Sequence, residues 1–362
     1  MQHPTRILVS RTKFINNLQT IRKNLSKNTL LCLPVKANAY GHDISLISKL
    51  AEQYVDYLAV ANLEEGVALR RDGISKNILV FGAFYAEQIT NLIKYNLEIS
   101  ISSLYKAKLV EEYCRNNNCQ AKIHLKIDTG MNRIGISMSS ARTLVDYVSN
   151  NPAFILVGIY SHFASSDSNQ EFTAKQFHDF LQIVEHTKSK NHGVIAHIAN
   201  SAAMVNYPEM HLDMVRPGIL SYGYNGDVNY PVEPVMSLVS KIVYYKRVKA
   251  NTGISYNHTY HTADTSNMVT IPIGYGDGYR RGLSNKSYIL LHGKKYPIVG
   301  NICMDLLMVN LGNDSGYVEE DVVLLGRSGS ESITADDLAK YLDTISYEIL
   351  TGFTSRIPRI LD

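Results

Sequence analysis

The sequence predicts an α/β fold: an N-terminal (β/α)8 TIM barrel followed by a C-terminal mostly-β domain. Three observations carry that expectation. Short apolar runs alternate with segments of helical period about eight times over roughly 220 residues, the length at which such barrels close. The polar residues with the strongest claim to chemistry fall at the C-terminal ends of those runs, where barrel sites collect. After about Val232 the texture changes to β-branched and aromatic alternation broken by turns.

The first run, Leu31–Lys36, is almost wholly apolar, as a strand covered on both faces must be. A glycine-bearing turn then leads into the amphipathic stretch Asp43–Gln53. Tyr57–Ala61 is the next strand, and Leu63–Arg71 the next helix, ending before Gly73 because glycine commonly follows a helix terminus. Ile78–Phe81, Glu98–Ile101 and Lys122–Ile127 continue the series. Ala141–Val148 reads as a helix before Leu156–His162, and Val194–Ile198 and Leu212–Leu220 complete eight strands. An open, doubly wound sheet is the structural alternative. In the second part, MSLVSKIVYYKRV, NMVTIPI, SYILLHG and DVVLLG read as strands. One helix is expected at Thr334–Leu342, capped by Thr334 with Asp336 and Asp337 in its first turn. The division is drawn at residues 1–230 and 231–362.

Composition narrows the function classes. Of 362 residues, 45% are apolar and 19% charged, which is globular and neither disordered nor fibrous. A formal charge of +3 with no basic run argues against a nucleic-acid or membrane partner. The opening MQHPTRILVSRTKF lacks the apolar core of a signal peptide and no long apolar stretch follows, so a cytoplasmic location is expected. Four scattered cysteines, Cys32, Cys114, Cys119 and Cys303, suggest reduced thiols rather than a disulfide framework, and no metal is expected.

Lys36, in PVKANAYGH, needs explaining at the end of so apolar a strand. Desolvation disfavours the charged form, so its amine should be available as a neutral nucleophile toward an aldehyde cofactor. From physics alone a solvated lysine at a strand terminus is an equal reading. Arg133 could be a surface arginine after a turn, Gly218 after Pro217 an ordinary turn glycine, and a strand-end histidine such as His162 a satisfied polar residue. The three glycines of GYGDGY suggest a nucleotide loop, but no dinucleotide-type βαβ unit surrounds them.

The string PVKANAYGH resembles the pyridoxal-phosphate lysine motif of the alanine racemase family. KIDTGMNRIG (Lys126–Gly135), YSHFASSD (Tyr160–Asp167), HIANSAA (His197–Ala203) and VRPGILSYG (Val215–Gly223) resemble that family in order. So do SYNHTY (Ser255–Tyr260), GYGDGY (Gly274–Tyr279), GNICMD (Gly300–Asp305) and SYEILTGFTSRIPR (Ser346–Arg359). Such collinearity spans nearly the whole chain. The resemblance implies pyridoxal 5'-phosphate held by Lys36, and a homodimer whose sites are shared between subunits. It also implies two bases on opposite faces of the cofactor–substrate aldimine, Lys36 and the partner copy's Tyr256, a demand that inversion at carbon makes independently. An isolated phenol titrates near 10, so Tyr256 would need nearby positive charge.

By the same resemblance Arg133 contacts the substrate carboxylate, and Met304 offers it a backbone N–H beside Asp305. Lys126 often carries a carbamate in the family, a negative group that would steady Arg133. Arg216 faces the pyridine nitrogen, steadied by His162, with Asn200 supporting. Tyr40, Ser201, Gly218, Ile219 and Tyr347 match the family's phosphate contacts, and Tyr275 its access corridor. Arginine does not release its proton, so the ring nitrogen should stay unprotonated and carbanion side reactions be suppressed. Two positions depart from the pattern: Asp43 stands where a small residue is expected, and Asn257 where glycine is common. The enzymatic rivals are a serine or broad-specificity racemase and a basic amino-acid decarboxylase. A non-catalytic pyridoxal-phosphate carrier is the rival from another class, with no use for a second base or for the C-terminal region.

Overall fold

The structure, a computed structural model, describes residues 4–224 and 230–362. Eight strands form one parallel array in the order Met214–Val215, Leu30–Pro34, Tyr57–Val60, Asn77–Val80, Glu98–Ile101, Ala121–Asp128, Phe154–Tyr160 and Ile195–His197. The first and last of these are joined by the Asp213 N–H donating to the Ala196 carbonyl (3.0 Å) and the Arg216 N–H to that of Ala199 (2.9 Å), which brings the barrel nearly to closure. The expected (β/α)8 architecture is therefore present.

Element limits differ from the sequence reading where turn chemistry intervenes. The expected strand Leu212–Leu220 shrinks to Met214–Val215, because Pro217 has no N–H for a ladder and residues Ile219–Tyr222 coil into a 310 turn. Leu63–Arg71 is a helix with the predicted limits, its Glu65 N–H capped by the Asn62 side chain. The helix expected from Thr334 runs Ala335–Leu342. Thr334 Oγ1 accepts from the Asp337 N–H, and the Asp337 carboxylate accepts from the Thr334 N–H.

The second layer is a mostly antiparallel sheet in the order Lys294–Pro297, Tyr288–Leu291, Asp321–Ser328, Met236–Lys241, Arg6–Val9 and Arg359–Leu361. Arg6–Val9, from the start of the chain, thus lies between two strands of the C-terminal region. A three-stranded sheet of Tyr244–Val248, Ser266–Ile271 and Leu307–Gly312 and a small hairpin, Gly253–Ile254 with Tyr260–His261, complete it. Among the described residues no helix is long and apolar enough to cross a membrane.

Candidate active site

A cavity of about 600 Å³ opens at the C-terminal ends of the barrel strands. It brings together Lys36, Tyr40, Lys126, Arg133, His162, Asn200, Ser201, Arg216, Gly218 and Tyr347. Ile219 is buried directly beside Gly218 and starts the 310 turn. Pro34, Ala61, Phe81, Gly82, Ile134 and Tyr160 also line the space and were not singled out from the sequence.

The backbone after Lys36 is unusual. Ala37, Asn38, Ala39 and Tyr40 all have φ between 52° and 54°, four successive non-glycine residues in the left-handed region, and Gly41 follows at 82°. Each such residue costs roughly 1 kcal/mol, so the surroundings must impose the turn. Glu65 does so with both oxygens, accepting from the N–H groups of Ala37 and Ala61 (2.7 Å each). Asn38 Oδ1 accepts from Ile44, and Tyr40 stacks on Tyr222 with ring centres 4.8 Å apart. Asp43, the departure from the family pattern, caps the next helix by accepting from the Leu46 N–H (3.0 Å). Asn257, the other departure, has φ 60°, a conformation asparagine tolerates better than other side-chain-bearing residues.

Burial holds the Lys36 amine below its ordinary pKa, and the Arg133 guanidinium adds to that effect. Lys126 is buried beside the Tyr160 ring (4.4 Å); desolvation first, then Arg216 and Arg133, pushes its pKa well down. His162 is likewise held neutral by burial and by Lys126.

Arg216 is buried, and desolvation draws it down to about 10. Its Nη2 donates to the Ser161 carbonyl (2.9 Å) and the Ile198 carbonyl (3.2 Å). His162 Nδ1 stands 3.4 Å from Nη2, whereas Nη1 meets His197 Nδ1 at 2.7 Å. The shorter imidazole contact is thus His197, which sequence reasoning passed over although it opens the quoted HIANSAA string. Asn200 accepts from the Ala203 N–H and the Ser166 hydroxyl, and Ser201 Oγ accepts from the Leu220 N–H (3.3 Å).

Tyr256, Tyr275, Met304 and Asp305 do not line this cavity. They form a separate group in the second region: the Tyr275 and Gly276 N–H groups donate to the Cys303 and Met304 carbonyls, and Asn301 Nδ2 to that of Tyr256. The group faces outward, with Tyr256 69% and Met304 53% exposed, and Asp305 pairs with Arg356 (2.7 Å).

A barrel with a cavity of buried titratable groups at its strand ends, joined to a β region, defines a barrel enzyme. Models of the alanine racemase N-terminal domain and C-terminal domain match residues 9–226 and 235–361. Alanine racemase 2 of Caldanaerobacter subterraneus subsp. tengcongensis is 38% identical over 366 residues, covering 99% of this chain and 94% of the relative. The solved alanine racemase of Clostridium difficile 630 superposes with a TM-score of 0.93 at 34% identity, covering 100% of this chain and 96% of that one. An alanine racemase from Bacillus anthracis with bound L-Ala-P does so at 0.91 and 33%, covering 100% and 96%. The chain belongs to the alanine racemase family, and its enzymatic class is that of the isomerases.

Proposed function

We propose that the chain interconverts L- and D-alanine with pyridoxal 5'-phosphate, Lys36 and Tyr256 serving as the two bases. The carrying observation is Lys36, its pKa lowered by burial, in one cavity with Arg133 and Arg216. The residues fit that cofactor. A side chain at Gly218 would collide with the Tyr40 hydroxyl (2.4 Å), so glycine leaves a cradle there. Tyr40, Ser201 and Tyr347 offer hydroxyls, and the N–H groups of Gly218 and Ile219 lie at the start of a 310 turn, a set suited to a phosphate.

When bound, the cofactor supplies the electron sink that acidifies the amino acid's Cα–H. Lys36 Nζ would hold the aldehyde and, once released, move a proton at one face of Cα. Tyr256 Oη of a second copy would move it at the other. Arg133 would orient the substrate carboxylate together with the partner copy's Met304 N–H, beside Asp305. Lys126, its pKa drawn down by burial, Arg216 and Arg133, is a candidate for the carbamate that would steady Arg133. Arg216 can only donate, so it would leave a ring nitrogen facing it unprotonated. Asn200 and His162 support these groups, and Tyr275 would flank access.

The outward face bearing Tyr256 and Met304 is what a head-to-tail homodimer would use, residues 1–230 binding the cofactor and 231–362 completing the partner's site. D-alanine for peptidoglycan synthesis is the role this reading implies. The test is turnover of L-alanine by the purified, cofactor-loaded protein, followed by chiral chromatography beside L-serine, L-lysine and L-ornithine. D-alanine formed fastest, and lost in both Lys36→Ala and Tyr256→Phe, is the expected result. D-serine formed faster would indicate a broader racemase, amine with carbon dioxide a decarboxylase, and bound cofactor without turnover a carrier.

A further inference from the structure

Arg216 is the start of a buried polar chain that the reaction as described above does not use. His197 Nε2 lies 3.0 Å from His124 Nδ1, and His124 Nε2 lies 2.7 Å from Glu98 Oε2. All four side chains are buried. Glu98 begins its strand and so sits toward the far end of the barrel from the cavity, while Arg216 follows its strand and lines it. The barrel interior, ordinarily filled by apolar layers, here carries a file of hydrogen bonds.

The direction of every bond follows from one fact: guanidinium has donors and no acceptor. Arg216 Nη1 donates to His197 Nδ1, so that nitrogen carries a lone pair and the ring's proton is on Nε2. His197 Nε2 then donates to His124 Nδ1, which leaves the His124 proton on Nε2, donating to Glu98. Two neutral imidazoles thus connect a buried cation to a buried carboxylate, and burial with Arg216 nearby keeps His197 neutral.

A second observation shows that the space for this chain is built in. A Cβ on Gly158 would lie 2.3 Å from His124 Nδ1 and 2.5 Å from Cε1. Only glycine at that strand position admits the imidazole. Tyr160, two residues on, stacks flat on His197 with ring centres 4.9 Å apart and planes 2° from parallel.

We propose that Glu98 and His124 are positioning residues for Arg216: with the guanidinium fixing both tautomers, the carboxylate accepts the last proton of the chain and so anchors His124, and through it His197, as the acceptor that holds Arg216. Without an acceptor at position 98, the His124 Nε2–H is left buried and unpaired, and the ring loses its anchor. A shift of that proton to Nδ1 gives no relief, since His197 would then have to turn a donor toward Arg216. The functional consequence rests on the reading of Arg216 as a cofactor contact, but the tautomer pattern does not.

The test is nitrogen NMR on ring-labelled histidine in the cofactor-loaded protein, with signals assigned by His197→Gln and His124→Gln. Protonated Nε2 and unprotonated Nδ1 on both rings are expected in the parent protein, and any other pattern there overturns the proposal without a variant having to fold. Glu98→Gln should keep the pattern, since its amide oxygen still accepts. Glu98→Leu should keep the His197 tautomer but shift the His124 Nε2 signal, its hydrogen bond to the carboxylate being lost, and lower kcat by about 10- to 100-fold, the range seen when partners that orient a reactive-site ligand are removed, with KM little changed. A kcat in Glu98→Leu equal to that of the parent would overturn it. If the parent showed the expected pattern but no racemisation, the functional reading would fail and the relay would stand.

Discussion

Gly218 and Tyr40 are in such close register that a methyl group on the glycine would come within 2.4 Å of the tyrosine hydroxyl oxygen. The phenol cannot withdraw freely, because its ring is buried and stacked on Tyr222. Gly218→Ala should therefore displace the hydroxyl and weaken cofactor binding by about tenfold, equivalent to roughly 1.4 kcal/mol. Titration of apoprotein with pyridoxal phosphate, followed by absorbance, measures this. Unchanged affinity would remove Tyr40 and Gly218 from the phosphate site.

Burial lowers the Lys36 pKa first and Arg133 lowers it further. Arg133→Leu removes a positive charge, so the lysine pKa should rise and its neutral fraction at a given pH should fall. The pH at which the apoprotein captures the aldehyde should move upward, read from absorbance across a pH series. A midpoint that stays put or falls would contradict the electrostatic account.

Because Lys36 lines the cavity while Tyr256 lies on an outward face, a site shared between copies makes a quantitative demand. Lys36→Ala and Tyr256→Phe, each inactive alone, should regain activity when mixed under subunit exchange. One of the two sites in each mixed dimer has both groups, so equal mixing restores about one quarter of parental activity. Mixtures that stay dead while native electrophoresis shows exchange would mean that each site is complete within one chain.

Three buried histidines predict acid lability of the cofactor-free protein. Burial lowers His42 to about 4, and His162 and His197 well below their ordinary value. Between about 6.5 and 4 the unfolded chain binds protons that the folded chain excludes, so stability present above pH 6.5 is lost as pH falls. Each contributes up to about 1.4 kcal/mol per pH unit in that window. Urea midpoints should drop between pH 7 and pH 5, and His42→Gln should flatten the slope. An equal slope in that variant would exclude His42.

Thr334 and Asp337 exchange hydrogen bonds at the start of the helix Ala335–Leu342. Thr334→Ala should cost about 1 kcal/mol of stability. Calorimetry should find a lower Tm with kcat unchanged, since the helix does not border the cavity; a fall in kcat would show coupling that the fold does not suggest.

Local patterns carried much of this molecule. The eight-fold alternation, the limits of Leu63–Arg71 and the Thr334 cap were legible because each depends on residues close in sequence: hydrophobic period, capping side chains and turn formers. The motif strings likewise marked Lys36, Arg133, Arg216 and the other polar candidates of the cavity, but not its Ala61, Phe81 and Gly82 walls. The overlong strand Leu212–Leu220 failed because apolar composition outweighed the warning of Pro217. Asp43 and Asn257 depart from the motif pattern, and what each does there is visible only in the backbone, one a helix cap and the other a left-handed residue.

The sequence by itself determined the elements, their order and the residue types available for chemistry, since periodicity and turn preference act over a few positions. Tertiary structure decided what depends on distance. It placed Arg6–Val9 among C-terminal strands, set His197 rather than His162 at 2.7 Å from Arg216, and fastened the Lys36 turn with Glu65. It also left Tyr256 outside the cavity of its own chain. Contacts between residues tens to hundreds of positions apart follow from barrel closure and packing, and no local pattern encodes them.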